Sequence, residues 1–103
     1  MKTSELTGVA LDWAVAKCEG VEVRILERQI VWPEDYAPST DWAQGGPIIQ
    51  QEKIDVMYEH DMRWIAVPQK GVESHGPTPL IAAMRCYVAS KLGDDIEIPK
   101  DLK

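Results

Sequence analysis

The apolar side chains near the start of the chain have the spacing of a helix with one buried side. Five positions share that side: Leu6, Val9, Ala10, Trp13 and Lys17. Thr3 or Ser4 can cap such a helix, and Gly20 can end it in the left-handed conformation. The pattern therefore predicts a first helix that runs to about Cys18. We expect Gly8, inside it, to admit a close neighbour.

Two later segments alternate between apolar and polar residues, as strands with one buried face do. Residues 21–25 alternate, the phase breaks at residues 27–29, and apolar residues resume at 30–32. Either a short hairpin or one long bulged strand explains this break, and the hairpin fits better. Residues 54–58 alternate again and precede the apolar run 64–67, which predicts a second hairpin.

The segment between the hairpins is rich in turn-forming residues. The run PEDYAPSTDWAQGGP, residues 33–47, excludes a long regular element. Pro47 suits the first position of a helix that follows Gly45 and Gly46, so we expect a helix of two turns that ends near Lys53. Residues 70–76 are polar and are expected to form a loop.

The last helix has the clearest boundaries in the chain. Thr78 is a good cap, Pro79 suits the first helical position, and Gly93 follows Leu92 as a terminator. We expect residues 94–103 to form an extended tail that lies on the body of the protein.

These elements predict one α+β domain over residues 1–103. We expect the two hairpins to form a small antiparallel sheet, with the first and last helices packed on one face and the short middle helix beside them.

Composition narrows the function classes. The chain has 103 residues, of which 45% are hydrophobic and 27% are charged, so it is not a disordered chain. Eleven basic residues against seventeen acidic ones give a net charge of -6, which argues against a nucleic-acid binder. No apolar run approaches the roughly 20 residues of a membrane span, so no membrane partner is expected.

The start of the chain and its cysteines favour the cytoplasm. Residues 1–5 lack the cationic and then apolar layout of a secretory signal. Cys18 and Cys86 are too few for a disulfide framework and are expected to be buried, reduced thiols.

Three separated blocks occur in an order that is specific to one family. They are LDWAVAK at residues 11–17, STDWAQGGPII at 39–49 and GPTPLIAAMR at 76–85. With these blocks the chain resembles the NinX-like family of small bacteriophage proteins from about Leu6 to Gly93. The resemblance implies a non-structural accessory protein that acts in the bacterial cytoplasm, and it carries over no catalytic residue.

The second block has the residue types of a site that binds an anion and a flat ring. Thr40 and Asp41 form turns and caps, while Gly45 and Gly46 allow close approach to backbone N–H groups at a helix start. Trp42 between them offers a stacking surface. The alternative is a tightly capped helix start in which Trp42 fills the core.

The third block adds a second helix start and a cation. The helix dipole at Thr78 favours a negative ligand, and the Arg85 guanidinium can grip a carboxylate or a phosphate. The alternative for Arg85 is a structural salt bridge to Asp12 or Asp41.

Catalytic patterns are weak in this chain. His60 and His75 are not at metal-ligand spacing, and Ser74 beside His75 does not make a nucleophile–base pair. We therefore expect no metal and no cofactor, and we favour a non-catalytic protein.

Two functional hypotheses follow. The first is binding of a small anionic, nucleotide-like ligand between the two helix starts, as in sequestering a host defence signal. The second is an adaptor or inhibitor of a host or phage protein, with an acidic surface that includes Asp94, Asp95 and Glu97. We also expect a homo-oligomer formed through the strands at 30–32 and 64–67.

Overall fold

The computed structural model describes residues 1–21, 24–26, 29–31 and 35–99. A single turn of 3-10 helix at Thr3–Glu5 opens the chain. The elements that follow are α1 (Gly8–Glu19), β1 (Arg24–Leu26), β2 (Gln29–Val31), α2 (Trp42–Glu52), β3 (Asp55–His60), β4 (Arg63–Val67), β5 (Ser74–Gly76) and α3 (Pro79–Leu92). The protein is an α+β fold.

The strands form two separate sheets, which corrects the expectation of one sheet made from both hairpins. β1 and β2 pair with each other as a two-stranded antiparallel sheet, so residues 24–31 form a hairpin and not a bulged strand. β3, β4 and β5 form a three-stranded antiparallel sheet in that order. The predicted second hairpin is confirmed, and its turn residues Asp61 and Met62 both have positive φ.

β5 lies in the stretch that we expected to be a loop. Its three residues do not alternate between apolar and polar types, so the sequence pattern does not predict a strand there. It is held by close packing instead: a Cβ added at Gly76 would lie 2.7 Å from the backbone nitrogen of Ala82 in α3. The small size of Gly76, and not apolar character, allows β5 to pair with β4 beneath the helix.

α1 begins later than predicted. Thr3 does not cap it: the Thr3 hydroxyl donates to the carbonyl of Gly93, and its N–H donates to the carbonyl of Asp94, which ties the first turn to the end of α3. Gly8 starts α1 with a φ of +53°, and no atom of the residues that the structure describes lies within 4 Å of a Cβ added there. Gly8 is therefore needed for its backbone angle, and the expected close neighbour is absent.

α2 also differs from its prediction. It begins at Trp42, capped by Asp41, so Gly45, Gly46 and Pro47 lie inside the helix and do not precede it. The polar cap at Asp41 outweighs the helix-breaking preference of the two glycines.

α3 has the predicted boundaries, with Thr78 as its cap and Gly93, at a φ of +91°, after its end. It packs on the three-stranded sheet, and α1 packs against it. The core lies between these elements and includes Leu11, Ala14, Val15, Ala66, Ala83, Met84 and Val88.

After α3 the chain has no helix or named strand over residues 94–99, and it lies on the body of the protein there. Ile98 is buried, and the N–H of Ile96 donates to the carbonyl of Met1. Residues 100–103 lie outside the described residues. Both cysteines are unpaired thiols, Cys86 buried and Cys18 half-buried, and burial raises the pKa of each to about 11. None of the helices in the described ranges has the length and apolar character that crossing a bilayer requires.

Candidate functional site

The starts of α2 and α3 open into one small hollow, which we call the helix-start hollow. Its volume is about 220 Å³. It is lined by Ser39, Thr40 and Trp42 on one side and by Thr78, Pro79, Leu80 and Ile81 on the other. The expected meeting of the two helix starts is therefore present.

Most backbone donors at this hollow are already used by the helices' own caps. The Asp41 carboxylate accepts from the N–H of Ala43 at 3.0 Å, and the Thr78 hydroxyl accepts from the N–H of Ile81 at 3.1 Å. The carbonyls of Asp41 and Thr78 accept the next N–H groups in each helix. A capping carboxylate also repels an anion, so these helix starts have little left to offer one.

Neither glycine of α2 is among the residues that line the helix-start hollow. A Cβ added at Gly45 would lie 2.5 Å from Leu80 Cδ2 and 2.5 Å from the carbonyl oxygen of Pro38. Gly45 is thus a point of close approach between α2, the start of α3 and the loop at Pro38. Gly46 lies inside the same helix, with nothing nearer to an added Cβ than Trp42 Cε3 at 4.0 Å.

Trp42 does not fill the core, which corrects the alternative that we considered. Its side chain is 55% exposed in the first turn of α2. The loop before it is fixed by Gln44, whose side-chain amide accepts from the N–H of Ala37 and donates to Asp41. Trp42 therefore lies on a rigid surface.

Asp12 anchors the same loop from α1. Its carboxylate is buried and accepts from the N–H of Ser39 at 2.8 Å. Burial raises the pKa of Asp12, and the hydrogen bond from the Ser39 N–H opposes that rise in part. This buried carboxylate positions residues 38–40 beside the helix-start hollow.

A second and larger hollow, which we call the arginine hollow, lies between α3, β5 and the first turn of the chain. Its volume is about 460 Å³. Its lining contains two arginines and a histidine: the residues are Ser4, Met62, Arg63, His75, Gly76, Pro77 and Arg85. In a chain with a net charge of -6, this is a local concentration of positive charge.

Arg85 makes neither of the predicted salt bridges. Its Nε donates to the carbonyl of Leu6 and its Nη1 donates to the carbonyl of His75, each at 2.8 Å. Among the described residues no carboxylate pairs with it. Burial lowers the pKa of Arg85, but a guanidinium stays charged at any physiological pH. Arg85 is thus a half-buried cation that only neutral carbonyls hold.

Arg63 and His75 contribute from neighbouring strands. Arg63 Nε donates to His75 Nδ1 at 3.2 Å, and it lies 3.4 Å from a carboxylate oxygen of Glu59. The other Glu59 oxygen lies 3.8 Å from His75 Nδ1. Glu59 therefore offsets part of the charge of Arg63, which leaves Arg85 as the cation without a counter-ion.

The structure divides the predicted site residues between two places. Thr40, Trp42 and Thr78 line the helix-start hollow, Asp41 caps α2, and Gly45 and Gly46 lie inside α2. Arg85 lies seven residues beyond Thr78, which is about 10 Å along the helix axis, and lines the arginine hollow. The prediction that these residues share one cleft with a guanidinium inside is wrong.

Arg63 and His75 were not predicted from the sequence as residues that line the same hollow as Arg85. Their proximity depends on the pairing of β4 with β5, and the sequence shows no sign of β5. Within the described residues no group of three or more His, Cys, Asp or Glu side chains is placed to hold a metal ion.

Comparison with known protein families gives a match over most of the chain. The model of the family described as Bacteriophage P22, NinX matches residues 2–91, most of the chain. No curated protein matches it.

Proposed function

This chain belongs to the family of bacteriophage P22 NinX and is a phage accessory protein; on this premise we propose that it binds a small anionic ligand, without catalysis, in the arginine hollow. The proposal keeps the ligand class predicted from the sequence. It moves the binding site away from the helix starts to the surroundings of Arg85.

One observation carries the proposal: the half-buried guanidinium of Arg85 lines the hollow, and no carboxylate of the described residues pairs with it. Removing a cation from water is costly unless a partner compensates. The two carbonyls use two of the five guanidinium N–H groups, which leaves three for a ligand. Those remaining donors suit the oxygens of a phosphate or a carboxylate.

The lining also indicates the size and character of the ligand. Arg63 and the Ser4 hydroxyl add donors at the rim, while Met62 and Pro77 add apolar surface. A phosphate group can bind at the arginines while a flat ring rests on the apolar side. The net charge of -6 repels a long polyanion, so a free nucleotide fits better than a nucleic-acid strand.

Titration calorimetry and thermal shift with three probes test this proposal: inorganic phosphate, AMP and a cyclic oligonucleotide. Ligand at 100 times its Kd adds about 2.7 kcal/mol to the free energy of unfolding. We expect Arg63→Gln to weaken binding of any probe that binds, and Glu59→Gln to strengthen it by removing a competing carboxylate. Trp42→Ala is the matched control in the other hollow. Folded protein that is stabilised by none of the probes would contradict the proposal.

The adaptor hypothesis remains as a second candidate. Asp94, Asp95 and Glu97 are all exposed, as a surface for a basic partner requires. The Asp95 carboxylate also lies 3.0 Å from the terminal amine of Met1. Charge reversal at these three positions should abolish capture of such a partner, while Arg63→Gln should leave capture unchanged.

A further inference from the structure

The two edges of the three-stranded sheet differ in what covers them. At the β5 edge, the carbonyl of His75 accepts a hydrogen bond from Arg85, so α3 covers this side. At the β3 edge, no described element pairs with the strand on the side away from β4. β3 has six residues, the most of any strand described, and every one of its positions except Val56 is exposed. An edge of this kind can accept another strand.

The exposed β3 edge carries both apolar and acidic side chains. Met57 and Tyr58 are each more than half exposed, and Tyr58 packs edge-on against Trp64 with ring centroids 5.3 Å apart. Asp55 has no partner among the described residues, and Asp61 just after the strand is 96% exposed. Apolar surface gives affinity to an added strand, and the carboxylates select the charge of that strand.

These charges disfavour a second copy of the chain as the added strand. Two β3 strands paired antiparallel across a two-fold axis must be centred on one residue, and the strand overlaps itself most when that residue is Met57 or Tyr58. Centred on Met57, the pairing sets Asp55 opposite Glu59 of the second copy; centred on Tyr58, it sets Asp55 opposite Asp61. Either way two like-charged pairs face each other, which is destabilising.

The same positions attract a basic strand. Lys or Arg residues on an added strand, four positions apart, can lie opposite Asp55 and Glu59 while apolar residues between them cover Met57. We propose that the β3 edge binds an extended, basic segment of a partner protein, which pairs with β3 as a fourth strand of the sheet. This surface borders the arginine hollow at Glu59, which lies 3.4 Å from Arg63, and it does not include the acidic tail.

A designed peptide tests the proposal. The probe is a capped, fluorescein-labelled heptapeptide of Val and Thr with Lys at its second and sixth positions. One control peptide carries Glu in place of Lys. A second control keeps both Lys but has methylated backbone nitrogens at alternate residues, so that it cannot donate strand hydrogen bonds. We expect the Lys peptide to bind by fluorescence anisotropy and both controls to lose that binding.

Variants of the protein locate the surface. The double variant Asp55→Lys with Asp61→Lys should weaken binding by about tenfold or more, since it places a repelling charge opposite a peptide Lys at Asp55 and another just beyond the end of the strand at Asp61. The control Asp94→Lys with Glu97→Lys changes the net charge equally, and Asp94 lines a hollow beside β5, at the other edge of the sheet. We expect this control to bind like the unchanged protein.

Three results would overturn the proposal. The first is equal binding of the N-methylated peptide, which would show charge attraction without strand pairing. The second is equal loss of binding in the Asp94 and Glu97 control. The third is a dimer, measured by light scattering, that Val56→Pro or Tyr58→Pro converts to a monomer, because the edge would then be occupied by a second copy.

Discussion

Two hollows lie along α3 and differ in how well they suit an anion. The helix-start hollow has the residue types of an anion site in the sequence, whereas the arginine hollow has the better donors in the structure. The helix-start hollow has two helix dipoles and an exposed Trp42, but Asp41 and Thr78 already satisfy the N–H groups that an anion needs. The arginine hollow has no recognisable motif, yet Arg85 lines it with N–H donors to spare and pairs with no carboxylate of the described residues.

The difference shows that caps and ligands compete for the same N–H groups. A Thr or an Asp before a helix stabilises that helix because it takes the place that an anion would occupy. A cation buried without a counter-ion is the stronger indication of an anion site, since its charge still requires compensation.

The largest expected effect on stability is at Gly45, and it tests whether this glycine is needed for helix packing. Gly45→Ala places a methyl group 2.5 Å from Leu80 and from the Pro38 carbonyl, so we expect about 3 kcal/mol of destabilisation. Gly46→Ala is the control: it has room, and it should stabilise α2 by about 0.5–1 kcal/mol. Urea unfolding measures both. Similar behaviour of the two variants would contradict the close crossing of α2 and α3.

Arg85→Met should come next. It removes the hydrogen bonds to Leu6 and His75 and leaves both carbonyls without that donor, so we expect about 2 kcal/mol of destabilisation together with loss of anion binding. Urea unfolding and calorimetry measure the two effects. A variant that is as stable as the unchanged protein would show that the guanidinium does not hold the first turn to β5.

Thr78→Ala has a smaller effect, which is confined to stability. It removes the cap on Ile81 and should cost about 1 kcal/mol, while Thr78→Ser keeps the hydroxyl and most of that stability. Neither variant should change anion affinity. Weaker phosphate binding by a folded Thr78→Ala protein would indicate that the anion binds in the helix-start hollow and not at Arg85.

The smallest effect is a pH dependence at Asp12. Its pKa in the folded protein is raised above the ordinary 3.8, so the folded state holds a proton more tightly than the unfolded chain does. Stability from this group is therefore present at low pH and declines as pH rises from 3.8 through the raised pKa. Asp12→Asn does not ionise and should lack that decline. The free energy of unfolding of both proteins is measured by urea from about pH 4 to pH 7, and an equal pH dependence in the two would contradict the raised pKa.

Local rules predicted the elements whose signals lie in adjacent residues. Thr78, Pro79 and Gly93 set both ends of α3, and the alternation at residues 54–58 gave the second hairpin. β5 was missed because Gly76 is required there by the close approach of α3, and such an approach leaves no local pattern in the sequence.

The candidate site was only partly predictable for a related reason. Arg85 stands out in the sequence as a charge in an apolar helix. Its partners are the carbonyls of Leu6 and His75, and any residue type supplies a carbonyl. No pattern of side chains can therefore announce this arrangement.

A proton–nitrogen NMR titration with inorganic phosphate tests the central claim most directly, because it reports on both hollows in one sample. We expect the Arg85 Nε–H signal and the amides of His75 and Gly76 to shift in a saturable way, while the amides of Ala43, Leu80 and Ile81 stay in place. Shifts confined to those three helix-start amides, with Arg85 unmoved, would contradict the account.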